Sequence, residues 1–225
     1  MATINDLKNK IDTLLQMSLR PMKMHLNSNT LERAYEAYVF SLCKVAVEQA
    51  GGAVTMQGIK SGSNPATLVF RGAPGYMHSS SQDYCYAYCT LNGKEFEIHL
   101  DVQYEGCSGA IHEIDVSLYD HISAEKIRRE GKIPRSDKVI MIFECKFYDR
   151  STVSTDMARG FAGLVQDCKG NKINAFVANN GSENLKKYFS NKSNIEPFTD
   201  LDAVNKDAEE RFIRVIEQSL RKWAI

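Results

Sequence analysis

The apolar run Val139-Ile140-Met141-Ile142-Phe143 constrains the fold more than any other stretch, because it reads as a strand and leads directly into Glu144-Cys145-Lys146. Apolar residues on both parities give such a strand two buried faces, which places it in the middle of a sheet. Side chains alternate along a strand, so Glu144 and Lys146 project from one face roughly 7 Å apart while Cys145 turns to the other. Burying unpaired ions is expensive, so the pair predicts a compensating site there. The competing reading, an exposed edge-strand ion pair of little energetic weight, fits the flanking apolar residues poorly. A second run, Ile111-His112-Glu113-Ile114-Asp115-Val116, brings another carboxylate, Asp115.

Around this centre the periodicity is legible. Residues Asn5 to Met17 carry Leu7, Ile11, Leu14 and Leu15 at helical spacing, with Pro21 beyond, and predict a short amphipathic helix that packs on the chain's own core or on a second subunit. Asn29 or Thr30 then caps a longer helix that ends near Ala50 at Gly51-Gly52. Period-two patterns predict strands over Val54 to Ile59, Thr67 to Phe70, Tyr84 to Leu91 and Glu95 to Tyr104, with Asn92-Gly93 as the hairpin turn joining the last two. The Gly, Ser and Pro-rich stretch Ser61 to Ser81 predicts mobile surface around the Leu68 strand. A helix from Ser123 is expected between the two acidic strands. Beyond Lys146 a helix over Thr155 to Cys168, a strand over Ile173 to Ala178 and a helix over Ser182 to Ser190 imply a parallel crossover. A last helix, Asp202 to Trp223, places Val204, Phe212, Val215, Ile216 and Leu220 toward a partner surface. The expected divisions are a helical segment over 1–28, a domain over 29–200 and a C-terminal helix over 201–225.

Cleaving a phosphodiester requires neutralising charge on the transition state and generating hydroxide near neutral pH, and Mg²⁺ held by carboxylates does both. Magnesium takes only one or two protein carboxylates, so Asp115 and Glu144 suffice, with the backbone carbonyl of Cys145 as a third oxygen. Lys146, facing the same way, orients or deprotonates the attacking water or stabilises the phosphate.

Ile114-Asp115 followed by Phe143-Glu144-Cys145-Lys146, strand to strand, resembles the PD-(D/E)xK nuclease superfamily, which includes restriction endonucleases, junction resolvases and phage-defence and repair nucleases. The resemblance spans roughly residues 30 to 180. Ile114 stands where the motif has proline, and a cationic insertion lengthens the gap from Asp115 to Glu144. It implies an α/β fold whose central mixed sheet carries the site between flanking helices, Mg²⁺ as cofactor with Mn²⁺ as substitute, and DNA as substrate, RNA being the less favoured choice. It further implies an auxiliary acid on the helix before the sheet. Glu36 stands there, with Glu32 one turn earlier as its rival. In such nucleases the helix after the motif often carries a polar residue facing the site, here Arg159 or Gln166. A domain with little room for a separate reading module suggests a homodimer or a subunit of a larger assembly.

Segment Asp120 to Lys138 holds Lys126, Arg128, Arg129, Lys132, Arg135 and Lys138, the densest positive segment. These cations, Arg128 and Arg129 foremost, are candidates for phosphate contact, as is Tyr148 for stacking near substrate; a solvated charged face is the ordinary alternative. Lys186, Lys187 and Lys192 make a weaker patch. Because Lys plus Arg and Asp plus Glu each total 28, any nucleic-acid surface must be local. Cys85, Cys89 and His99 do not reach a zinc site, for want of a CxxC and a fourth clustered ligand. His112 reads as a packed or hydrogen-bonded histidine and Cys145 as a small core residue. Scattered cysteines and short apolar runs predict a reduced, cytoplasmic protein without a membrane span. The rival from another class is a non-catalytic nuclease-fold subunit that keeps the acids for ion pairing. A nucleotide phosphohydrolase is disfavoured because no phosphate-cradling glycine loop precedes a helix.

Overall fold

The structure, a computed structural model, describes residues 1–16, 23–26, 30–149, 151–168 and 173–225. Met17, Pro21 and the alternative cap Asn29 lie outside them. The elements in chain order are α1 (Ile4–Gln16), β1 (Lys23–Leu26), α2 (Leu31–Gln49), β2 (Ala53–Gly58), β3 (Gly62–Ser63), β4 (Thr67–Phe70), β5 (Cys85–Leu91), β6 (Lys94–Glu105), β7 (Ile111–Asp120), α3 (His121–Glu130), β8 (Val139–Lys146), α4 (Thr155–Asp167), β9 (Ile173–Ala178), α5 (Glu183–Ser190), β10 (Glu196–Phe198) and α6 (Lys206–Trp223). The fold is α/β: an eight-stranded mixed sheet, order β10-β9-β8-β7-β6-β5-β2-β3, flanked by helices. A separate parallel pair joins β1 to β4.

β8 is central as its two-sided apolar run requires, pairing antiparallel with β7 and parallel with β9. Met141, Ile142 and Phe143 are completely buried. The crossover through α4 supplies the parallel neighbour, and a second through α5 adds β10. Asn92 and Gly93 both have positive φ, 49° and 78°, which matches the twist of a two-residue hairpin between β5 and β6.

Two cores lie on the two faces. One joins α1, α2 and α6 to the sheet through residues such as Leu7, Tyr35, Phe40, Phe143, Phe212 and Leu220. The other gathers Ala124 of α3, Phe161 and Val165 of α4, Leu185 and Phe189 of α5, and Phe176 of β9. Leu7, Ile11, Leu14 and Leu15 are all buried in the first, so α1 packs on its own chain. α6 does likewise through Phe212, Ile216 and Leu220, and Val204, expected on its buried face, instead precedes the helix and is 59% exposed.

The stretch 61–81, expected as surface, is anchored at points: Leu68, Phe70 and Met77 are buried, and Gly75 bonds to β6 in both directions, its N–H donating to Asp101 O at 2.9 Å and its carbonyl accepting from Gln103 N at 3.0 Å. On β7, Ser117 and Tyr119 are buried, Tyr119 in the core that includes Ala124 of α3 and Ser117 sharing a hydrogen bond with Tyr104 at 2.7 Å. Gly160 and Gly163 are exposed on α4, and a Cβ at either would meet nothing within 4 Å. Among the described residues no helix is long and apolar enough to cross a membrane.

Candidate active site

Strands β7 and β8 pair from Tyr119 and Val139 as far as Val116 and Phe143. One residue further on, Asp115 turns its carboxylate onto the strand beside it: Oδ2 accepts the N–H of Cys145 at 2.7 Å. The same oxygen lies 3.4 Å from Lys146 Nζ, which contacts Glu144 Oε1 at 2.6 Å. Alternation turns Cys145 away into the core under α2, as its neighbours require. The three residues expected on the strands therefore meet where the two strands separate.

From beneath, α2 adds Glu36, which is buried while its rival Glu32 is exposed. Thr30 caps the helix by accepting from Arg33 N, which fixes the turn that carries both residues. Arg33 Nη1 donates to both oxygens of Glu36, at 2.9 and 3.1 Å.

Sequence reasoning missed Asp101. It lies on β6 directly opposite Asp115, between the paired residues Leu100 with Val116 and Val102 with Ile114. It is completely buried; Oδ1 accepts from Arg33 Nη1 at 2.7 Å, and Oδ2 has no hydrogen-bond partner. Its φ of 53° interrupts the strand in a region that Asp tolerates better than most residues, and the Gly75 bridge holds the backbone there. Glu36, Asp101 and Asp115 each offer a carboxylate oxygen within 4.8 Å of the others, the one such cluster among the described residues; Cys85, Cys89 and His99 form none.

Crowding perturbs Glu36, Asp101, Glu144 and Lys146. Burial, then the Asp115 charge, pushes Glu144 up to about 7, with Lys146 pulling the other way. Burial pushes Asp101 up to about 7 against Arg33, and burial with Asp115 and Asp101 pushes Glu36 up to about 9. Burial opposes the Lys146 charge, but Asp115 and Glu144 outweigh it and hold the ammonium above its usual range. So many carboxylates in one desolvated volume favour a cation. The donors are hard oxygens, and a buried Asp oxygen without a partner is free to ligate; the set fits Mg²⁺ or Mn²⁺. The side chain of Cys145 is no ligand, and its carbonyl stays an expectation from the sequence.

The outer candidates separate. Tyr148 is half-buried, its hydroxyl 3.2 Å from Met157 Sδ and its backbone held by Asn179. Arg159 is exposed and paired with Asp156 at 2.6 Å, and Gln166 is exposed on the same helix, which points Ala158, Phe161 and Val165 inward. Arg128 does not face solvent for a phosphate. Its guanidinium forks onto the completely buried Glu97, both contacts at 2.6 Å, and stacks over Tyr86, so it ties α3 to β6. Arg129 is exposed. Lys126, Lys132, Arg135 and Lys138 line a cleft of about 490 Å³ with Glu105, Glu130 and Asp137, and Lys132 is paired with Glu130 at 2.8 Å, so much of that charge is balanced locally. His112 bonds Asp167 at 2.6 Å, a structural partner as expected. Lys186 of the weaker patch pairs with Glu183.

No protein family, characterised protein or solved structure matches this chain.

Proposed function

We propose that this chain is a Mg²⁺-dependent nuclease of the PD-(D/E)xK, restriction-endonuclease-like class that hydrolyses phosphodiester bonds of DNA. One observation carries the reading: buried Glu36, Asp101 and Asp115 converge within 4.8 Å of one another, and Lys146 bridges Asp115 to Glu144 at the point where β7 and β8 part. The order of elements supports it too, with α2 under an antiparallel β6-β7-β8 meander followed by α4 and a parallel β9, as the motif's resemblance implies.

When bound, the metal supplies charge neutralisation on the phosphate and a water of lowered pKa. Asp115 and the unpartnered Oδ2 of Asp101 would hold it, and Glu144, bound to Lys146, would have to turn toward them to join. Lys146, kept protonated by its two carboxylates, donates a hydrogen bond and a positive charge to the phosphate or to the attacking water and is poorly suited to act as a base. Glu36 positions Arg33 through both of its oxygens. The separation of the strands beside buried, apolar β8 leaves the reacting groups shielded on the core side and open on the other. Arg129 and Lys126, exposed on α3, stay candidates for contact with a substrate backbone.

The test is cleavage of supercoiled and linear DNA, with labelled RNA alongside, in Mg²⁺, Mn²⁺ and EDTA. Metal-dependent cleavage abolished by Asp115→Ala and by Lys146→Ala is expected. A protein that neither cleaves nor binds Mg²⁺ by calorimetry would be a binding or assembly platform that keeps the acids for ion pairing.

A further inference from the structure

Arg33 enters the acidic site as an ion would. A single nitrogen, Nη1, lies 3.1 and 2.9 Å from the two oxygens of Glu36 and 2.7 Å from Asp101 Oδ1, with Glu113 Oε1 at 3.9 Å. Those three near oxygens are the ones a metal between Glu36 and Asp101 would have to take at about 2.0–2.1 Å. A guanidinium nitrogen and a divalent ion cannot share them. Asp101 divides its carboxylate accordingly: Oδ1 goes to Arg33, and Oδ2, buried, is left without a hydrogen-bond partner.

We infer that Arg33 takes the place of a second metal ion, so that the site accepts one divalent cation, on Asp101 and Asp115 with Glu144 turned toward them, and Glu36 serves as the anchor of Arg33 and not as a metal ligand. This rests on the metal-dependent reading above. Two-metal phosphodiesterases set their ions about 3.5–4 Å apart to stabilise attacking and leaving oxygens. Here the second positive charge belongs to the chain itself. It never titrates near neutral pH, it is not removed by chelators, and its backbone is fixed by the Thr30 cap one turn before Glu36. Its side chain is 23% exposed, so the guanidinium also borders the open side of the site, where a phosphate oxygen could reach it.

Calorimetric titration of Mg²⁺ and of Mn²⁺ into the full chain decides the matter. Wild type should bind one ion per chain, Arg33→Lys one, Glu36→Gln one, and Arg33→Met two, with circular dichroism confirming that each variant is folded. Two ions in wild type, none in wild type and Arg33→Met alike, or one in Arg33→Met would overturn the inference. Should Arg33→Met fail to fold, Glu36→Gln still decides, because loss of metal binding there would make Glu36 a ligand. DNA cleavage assayed on the same samples is a separate readout: the expected ion counts without cleavage would remove the nuclease reading and leave the role of Arg33 intact.

Discussion

Asp115 Oδ2 sits 2.7 Å from the backbone nitrogen of Cys145, so a site carboxylate fills the place of a strand partner just where β7 and β8 stop pairing. The hydrogen bond ties the chemistry to the architecture. It makes Asp115 an acceptor for the sheet and a ligand candidate at once, and the two duties can be separated by substitution.

Asp115→Asn keeps an oxygen that can accept from Cys145, whereas Asp115→Ala leaves that buried N–H without an acceptor. The alanine variant should lose about 1–3 kcal/mol of stability, the usual penalty for an unmet buried donor, and the asparagine variant should stay close to wild type. Both should lose cleavage by at least about 100-fold, more than the loss of an outer-shell partner costs a metal site. Denaturant unfolding beside plasmid cleavage reads both quantities. Equal stability loss in the two variants would show that the Cys145 bond matters little.

Lys146 competes with any metal for Glu144, which it contacts at 2.6 Å, and so Lys146→Met should bind Mg²⁺ more tightly than wild type while cleaving about 10²–10³-fold more slowly. Calorimetry and single-turnover cleavage on the same preparation check the pair of effects. Weaker metal binding would mean that Lys146 holds the carboxylates in place and contributes through structure alone.

What the sequence disclosed here, and what it hid, follow from backbone regularity. β8 and its triplet were readable because the strand is regular, so alternation placed Glu144, Cys145 and Lys146 correctly. Asp101 was not, because β6 is irregular at that residue. Phe96, Ile98 and Leu100 face the core under α2, yet Val102 and Tyr104, of the same parity, face the core under α4. The positive φ of Asp101 makes the switch, and across the ladder Ile114 and Val116 change faces at the same level. The available signal was an Asp inside an apolar strand paired in register with the strand of Asp115. Arg128 was misread for a different reason: a cation in a basic segment looks solvated until the buried Glu97 that draws it inward is known.

The site should also be visible in how metal and pH jointly set stability. Glu144 and Asp101 are both raised to about 7, so the metal-free folded chain holds protons that the unfolded chain releases near pH 4. Its stability from these groups is greatest at low pH and falls as pH climbs to about 7, then levels. A metal binds the deprotonated acids, and so the rise in Tm produced by Mg²⁺ over EDTA should grow between pH 5.5 and 7.5. A Mg²⁺ shift of constant size across that range would contradict the assignment of these carboxylates to the metal.

A second charged centre, away from the metal cluster, gives the opposite profile. Glu97 is completely buried and takes two contacts from Arg128, one from His99 at 2.8 Å and one from His121 at 2.6 Å. Burial opposes its charge, but the hydrogen bonds from Arg128, His121 and His99 outweigh burial and hold the carboxyl far below its ordinary 4.5. Its contribution is therefore present above 4.5 and lost as pH falls toward the depressed value. The Glu97 hydrogen bond raises His121 above 6.5, so that contribution is complete below 6.5 and lost as pH rises through the raised value. His99 runs the other way, since burial keeps it neutral and lowers its pKa, which subtracts stability on the acid side. Glu97→Gln leaves Arg128 without its buried counter-charge and should destabilise the fold by about 3–5 kcal/mol at pH 5.5, where Glu97 is ionised and His121 protonated. The gap between variant and wild type should narrow at pH 3.5 and again at pH 8.5. Urea unfolding at the three values measures it, and a gap independent of pH would mean that packing around Tyr86 and Tyr88, more than the charge of Glu97, fastens α3 to the sheet.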